Sequence, residues 1–221
     1  MSVARGPYER LLVAAAVIGV AAGSAPARAD EPADRGISLS AWAGGALDRS
    51  VLSASGQPVR LEALVAGVTG IGNIERVAIG GAVDTRPDIR GAGRLSISAL
   101  LGYQQELGRD RVQLLAEAGG RRFSDIGGEP NARQLGGDPW LPFVGVRVGS
   151  ARTVPARGFV EVGTWLFARF DLGRTTVTSE GNMDGAARSD YRVGGFMAGL
   201  GLQVGLRLES PHPWNQGIVE D

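Results

Sequence analysis

The stretch Phe196-Met197-Ala198-Gly199-Leu200-Gly201-Leu202-Gln203-Val204-Gly205-Leu206-Arg207-Leu208 puts apolar residues on one parity and Gly199, Gly201, Gln203, Gly205 and Arg207 on the other. A period of two belongs to a strand, whose successive side chains point to opposite faces. The run is long, one face is greasy throughout, and the other is mostly glycine. Working outward, Val112, Leu114, Ala116 and Ala118 oppose Arg111, Gln113, Glu117 and Arg121 in the same way. Between Phe159 and Leu172, Val160, Val162, Leu166, Ala168 and Phe170 share one parity and Glu161, Arg169 and Asp171 the other, with Trp165 and Phe167 on the charged side. Weaker alternation covers Ile37–Leu47, Val59–Val68, Ile74–Val83, Arg94–Gln104 and Trp140–Gly149. Past Asp30 no segment carries a helical pattern, so the sequence predicts eight strands and an all-β fold.

Composition narrows the chemistry. The 221 residues include 35 Gly, no Cys and one His. Thiol nucleophiles, disulfides, iron–sulfur clusters and Cys-zinc sites are excluded, as is a multi-histidine metal site. The 23 cations balance 23 acids, and every cation is Arg. That neutrality argues against nucleic acid as a partner.

The N-terminus reads as an export signal. Arg5 and Arg10 precede an apolar and glycine run from Leu11 to Gly23, and Ala27-Arg28-Ala29 forms an A-x-A cleavage site. A helix of that run spans about 20 Å, short of the roughly 30 Å of hydrocarbon that a membrane anchor must cross. Residues 1–29 are therefore expected to be removed, with cleavage between Ala29 and Asp30, leaving a barrel domain over 30–208 and a periplasmic tail over 209–221.

Connection lengths choose the architecture. Asp48–Pro58, Asp84–Gly93, Arg122–Pro139 and Gly173–Asp190 alternate with the shorter Thr69–Asn73, Glu106–Asp110 and Ser150–Arg157. Long loops at one end and short turns at the other are the pattern of a transmembrane β-barrel with surface loops and periplasmic turns. An even strand count brings both termini to the turn end.

On these features the chain resembles the eight-stranded outer-membrane barrels of the OmpA, OmpX and OmpW kind over about Ile37 to Leu208. Gln203-Val204-Gly205-Leu206-Arg207-Leu208 matches part of the C-terminal signal that the barrel-assembly machinery reads in that family; the closing aromatic is absent and Glu209–Asp221 follows. The resemblance implies an eight-stranded antiparallel up-and-down transmembrane β-barrel in the cell outer membrane, with outer-membrane lipid and the assembly machinery as partners. Trp140 and Phe170 would face lipid near the loop end and Tyr103 near the turn end.

The charged parity then has to satisfy itself inside, because an eight-stranded barrel is only wide enough for its own side chains. Glu62, Arg76, Arg94, Glu117, Arg147, Glu161, Arg169, Gln203 and Arg207 are the candidates for a lumen ion-pair network. Arginine suits it, since its planar fork donates to several carboxylate oxygens and stays charged.

Catalytic readings are thin. His212 lies between prolines in the tail, no G-x-S-x-G elbow exists, and Gly70-Ile71-Gly72 lacks the rest of a dinucleotide fingerprint. The Glu180–Gly185 stretch resembles part of a calcium loop but places Tyr191 where a bidentate Glu is needed. Glu117 with Glu161 could suggest a glycosidase pair, but the neighbouring arginines favour ion pairing. The expected function is thus a structural or cell-surface interaction role with no catalysis and no cofactor. The alternatives are a narrow pore for small polar solutes and a soluble periplasmic lipocalin-like carrier of a hydrophobic ligand, in which the apolar parity would face inward.

Overall fold

The computed structural model describes residues 35–59, 62–86, 93–124, 126, 133–135, 139–154, 159–180 and 188–209. The Ala29/Asp30 cleavage site and the tail after Glu209 lie outside them. Eight long strands, β1 (Arg35–Asp48), β3 (Glu62–Ile74), β4 (Val77–Arg86), β5 (Gly93–Leu107), β6 (Asp110–Ser124), β8 (Trp140–Thr153), β9 (Val160–Asp171) and β12 (Phe196–Glu209), close into one barrel. Each pairs antiparallel with its neighbours in the chain, and β12 closes on β1 from Gly36↔Glu209 to Asp48↔Met197. At 10 to 15 residues the strands meet or exceed the 9–11 or so that a tilted membrane crossing needs.

The parities separate cleanly. Ile79, Leu101, Leu166, Leu200, Leu202 and Val204 are exposed on the outer wall, Leu202 to 68%, whereas Glu117, Arg147 and Arg169 are at most 2% exposed. A soluble carrier needs the reverse arrangement, with its greasy face inside. A continuous apolar belt of this extent belongs against hydrocarbon. Trp140 and Phe170 sit on the outer wall near the loop end, and Phe159 near the turn end.

Two hairpins depart from the sequence reading, the first in which residues make the turn. The turn expected over Thr69–Asn73 is strand: β3 runs on to Ile74, and the reversal is made by Glu75 and Arg76. Gly70 and Gly72 look like turn residues but sit in the ladder, where Gly70 pairs with Gly81. A Cβ at the neighbouring Gly80 would come within 2.2 Å of the Gly70 carbonyl oxygen, so the strands approach closely there. Glu75 takes φ 55°, the left-handed conformation that tight hairpins require. Arg76, expected in the lumen, is exposed in this turn. The turn expected over Ser150–Arg157 also begins later, because β8 continues to Thr153.

The loop end holds a second layer where the sequence reading expects only loops. Four short strands, β2 (Val51–Ser53), β7 (Arg133–Leu135), β10 (Thr175–Glu180) and β11 (Arg188–Val193), form an antiparallel sheet in the order β2-β11-β10-β7. They come from the first, third and fourth long loops, so the sheet ties these loops together across the barrel mouth.

Candidate functional site

Inside the barrel the side chains fall into tiers along the axis. At the turn end, Arg111 Nη2 donates to Glu161 Oε2 at 2.5 Å, Arg207 pairs with Glu106, and Arg207 Nη1 lies 3.9 Å from Glu161 Oε1. Gln113 donates to Gln104 Oε1 at 2.7 Å, and Gln203 Nε2 to the Ser150 carbonyl at 3.3 Å.

The middle tier centres on Glu117. Its Oε1 accepts from Arg147 Nη2 at 3.0 Å, Arg169 Nη2 at 2.7 Å and Ser98 Oγ at 2.6 Å, and its Oε2 from Arg169 Nε at 2.9 Å. Arg169 also donates to both oxygens of Asp84, at 2.9 and 2.7 Å. A guanidinium can reach two carboxylates at once because its five N–H groups are held in one plane. Arg147 further donates to Thr69 Oγ1 at 3.1 Å.

Aromatic rings pack against this tier. The Arg147 guanidinium lies 5.3 Å from the Trp42 ring centre and 5.4 Å from that of Trp165, while Arg169 lies 5.1 Å from Phe143 and 5.0 Å from Phe167. These are cation–π distances. They give a physical place to Trp165 and Phe167, whose side chains share the charged parity. Space for the Trp165 ring comes from Gly149, where a Cβ would meet it at 2.3 Å.

At the loop end, two carboxylates join the lumen to the loop roots. Asp48 Oδ1 accepts from the Ser50 backbone N–H at 2.9 Å and its hydroxyl at 2.5 Å; Oδ2 pairs with Arg94 and, at 3.4 Å, with Arg86. Asp171 Oδ2 accepts from the Gly195 N–H at 2.8 Å and Arg121 Nη1 at 3.3 Å. Above them Phe123 and Leu141 form one buried apolar cluster with Val51, Ile126, Val177 and Val193, with Val59 and Tyr191 packed against it. Two of these are barrel-strand residues and most of the others belong to the sheet over the mouth.

Of the residues singled out from sequence, Arg94, Glu117, Arg147, Glu161, Arg169, Gln203 and Arg207 are buried. Arg76 is not, and the side chain of Glu62, which opens β3 opposite Leu47, lies outside the described residues. Sequence reasoning did not name Asp48, Asp84, Arg86, Glu106, Arg111, Arg121 or Asp171 as candidates. For Arg111, Arg121 and Asp171 the signal was present, since all three share the charged parity of their strands. Asp48, Asp84 and Glu106 stand where the sequence reading had already ended a strand. Glu117 and Glu161 do not converge on a common partner: each is engaged by its own arginines. Among the described residues no group of three or more His, Cys, Asp or Glu is placed to hold a metal.

A closed antiparallel barrel of eight strands with an apolar outer belt and its charges inside is a transmembrane β-barrel of the small outer-membrane type. Among solved structures, the chain is similar to the Neisserial surface protein A, with 14% identity over 80% of this chain and 99% of that one and a TM-score of 0.51. It is also similar to the outer membrane protein OprG from Pseudomonas aeruginosa, with 11% identity over 80% and 98% and a TM-score of 0.52. Likeness at this identity speaks to fold. No protein-family model and no curated protein sequence matches the chain.

Proposed function

We propose that the chain is an outer-membrane barrel whose lumen is packed shut and whose work is done at the cell surface, by the loop sheet that crosses its outer mouth. It neither conducts solutes nor catalyses a reaction. The observation that carries this reading is that buried side chains fill the interior at three levels along the axis. Arg111, Glu161 and Arg207 occupy the turn end, Glu117, Arg147 and Arg169 the middle, and Phe123 and Leu141 the outer end beneath Val177 and Val193. A conducting path would have to displace charge pairs that have almost no access to water, leaving charges unpaired at a cost of several kcal/mol. The organised loops favour a surface role as well, because a sheet with its own core presents a fixed face where separate loops would sample many.

Reconstitution of the full chain in planar bilayers tests the closed lumen. The expected record is a baseline without steady single-channel steps in molar potassium chloride; reproducible unitary conductance would support the pore reading instead. Protease shaving of intact cells tests the location, and cleavage confined to the long loops is the expected outcome.

A further inference from the structure

We infer that the outer wall at the loop ends of β6, β8 and β9 holds one phosphorylated lipid, with its phosphate between Arg122 and Arg174 and an acyl chain running down the wall beside Trp140. The observation is a row of three exposed side chains. Arg122 stands directly opposite Trp140 across the β6–β8 ladder. On the other side of β8, the ladder that ends at Phe143↔Asp171 is prolonged by the Leu172 N–H, which donates to the Pro142 carbonyl at 2.8 Å. Two residues further on, the chain reaches Arg174 alongside Trp140. Both arginines are exposed, and Trp140 is 50% exposed. With neighbouring strands about 4.8 Å apart, the two arginine backbones stand roughly 10 Å from each other, so both long side chains can reach one phosphate.

Trp140 is laid along the wall. A Cβ at Gly120 would come 3.2 Å from the Trp140 Cε3, so the missing side chain lets the ring rest against β6. Gly120 lies one outward position further from the loops than Arg122, and the ring therefore extends from the arginine row towards the apolar belt. Val144, Phe170 and Leu172 are exposed beside it, and Phe170 packs on Phe196 with ring centres 4.7 Å apart. An apolar track thus begins between two cations. The wall made by β3, β4 and β5 ends differently: among the described residues its outward positions nearest the loops are Leu64, Val83, Thr85 and Leu95, with no arginine and no aromatic ring.

The chemistry that fits has an anionic head and a hydrocarbon tail. Guanidinium groups take phosphate oxygens through paired N–H bonds, and a tryptophan at the edge of an apolar belt sits at headgroup level. Acids do not compete on this wall, because Asp48 and Asp171, at the ends of β1 and β9, face the lumen and are engaged there by Arg94 and Arg121. Arg122 keeps a further contact of its own, which five N–H groups allow beside a phosphate. A soluble phosphate would use the arginines alone. The exposed track over Val144 and Phe170 gives the acyl chain its place and selects a lipid.

Phosphatidic acid with brominated acyl chains is the probe, read by quenching of Trp140 in the full chain in neutral detergent. Trp42 and Trp165 are buried in the lumen, and subtracting the signal of a Trp140→Phe variant isolates position 140. Quenching should saturate as a single site, at a roughly tenfold lower concentration than with brominated phosphatidylcholine, whose phosphate carries a compensating cation. Replacing Arg122 and Arg174 together by Gln should remove that preference. Removing two charges from the loop sheet instead, with Arg188→Gln and Arg192→Gln, should leave it in place. Equal quenching by the two lipids in the wild-type protein, or the same loss of preference in both double variants, would overturn the proposal. Inorganic phosphate at the lipid's own concentration should not displace it; displacement there would make the ligand a soluble phosphate and overturn the assignment to a lipid. The wild-type titrations decide the matter alone if a variant fails to fold.

Discussion

A single carboxylate shows how demanding this interior is. Glu117 is 2% exposed and is bonded by two arginines and a serine. Replacing it by Gln keeps the shape and removes the charge, which leaves Arg147 without a carboxylate while Arg169 retains Asp84. The expected loss is about 3–5 kcal/mol, the size seen when one partner of a buried pair is removed, read as a lower urea midpoint in lipid vesicles. An unchanged midpoint would mean that water reaches the tier. On the other parity, Leu202 and Gln203 are adjacent in sequence and face opposite solvents, at 68% and 5% exposure. A fluorophore attached at position 202 should be quenched by brominated lipid acyl chains and one at 203 should not; the reverse pattern would invert the barrel. Leu200→Arg belongs to the same scale, with a cost of roughly 2–4 kcal/mol if Leu200 lies near the bilayer midplane.

Among the elements, the long strands were legible in sequence because period two is imposed directly by the two solvents. Val112 to Arg121 could be read without any neighbour, since each outward position must suit lipid and each inward one a crowded polar interior. Reading failed where that imposition lapses. Gly70 and Gly72 carry no side chain to report a face, so they read as a turn although they lie in β3. The buried acids Asp48 and Asp84 read as loop residues, because a carboxylate near a strand end looks solvated until its arginine partners on other strands are known. The four strands over the mouth are three to six residues long, too short for a periodic pattern, and their pairing joins segments far apart in the chain. The core beneath them yields a prediction. Val193→Asp would place a carboxylate in the cluster formed by Phe123, Leu141 and Val177 and should detach the sheet. Trypsin should then cut after Arg188 and Arg192, both in β11, at least tenfold faster, while the barrel itself stays folded; this corresponds to the loss of about 1.4 kcal/mol or more of local protection. Equal cutting rates would show that the sheet is held by other contacts.

For the molecule as a whole, closure of the ladder removes every barrel edge and with it the unpaired backbone groups that an open sheet would expose to lipid. A closed barrel of this kind should resist dodecyl sulfate at room temperature and run on gels at a different apparent size from the boiled sample. A single band at both temperatures would mean that the ladder does not stay shut. Topology adds a second expectation: epitopes inserted at 136 or 185, in the long loops, should be reached by antibody on intact cells, and one at 155 should not. Those insertion points lie outside the described residues, but the strands that flank them fix the end of the barrel to which each belongs.

The pairing of β1 with β12 also dictates an order of events. Every other backbone pairing of the barrel ladder joins barrel strands that follow one another along the chain, so the hairpins can form one after another as soon as their own residues are available. The join between Gly36 and Glu209 cannot. It brings together the two ends of the barrel sequence and carries the largest loop-closure entropy of any contact in the ladder. Until the last strand arrives, the growing sheet has two open edges and an apolar outer face, and it is least fit to be in water just when it is most nearly complete. The slow step in making this protein is therefore expected at the seam, and substitutions along Leu39, Ala41, Val204 or Leu206 should change the rate of maturation more than equally exposed ones on β5 or β6.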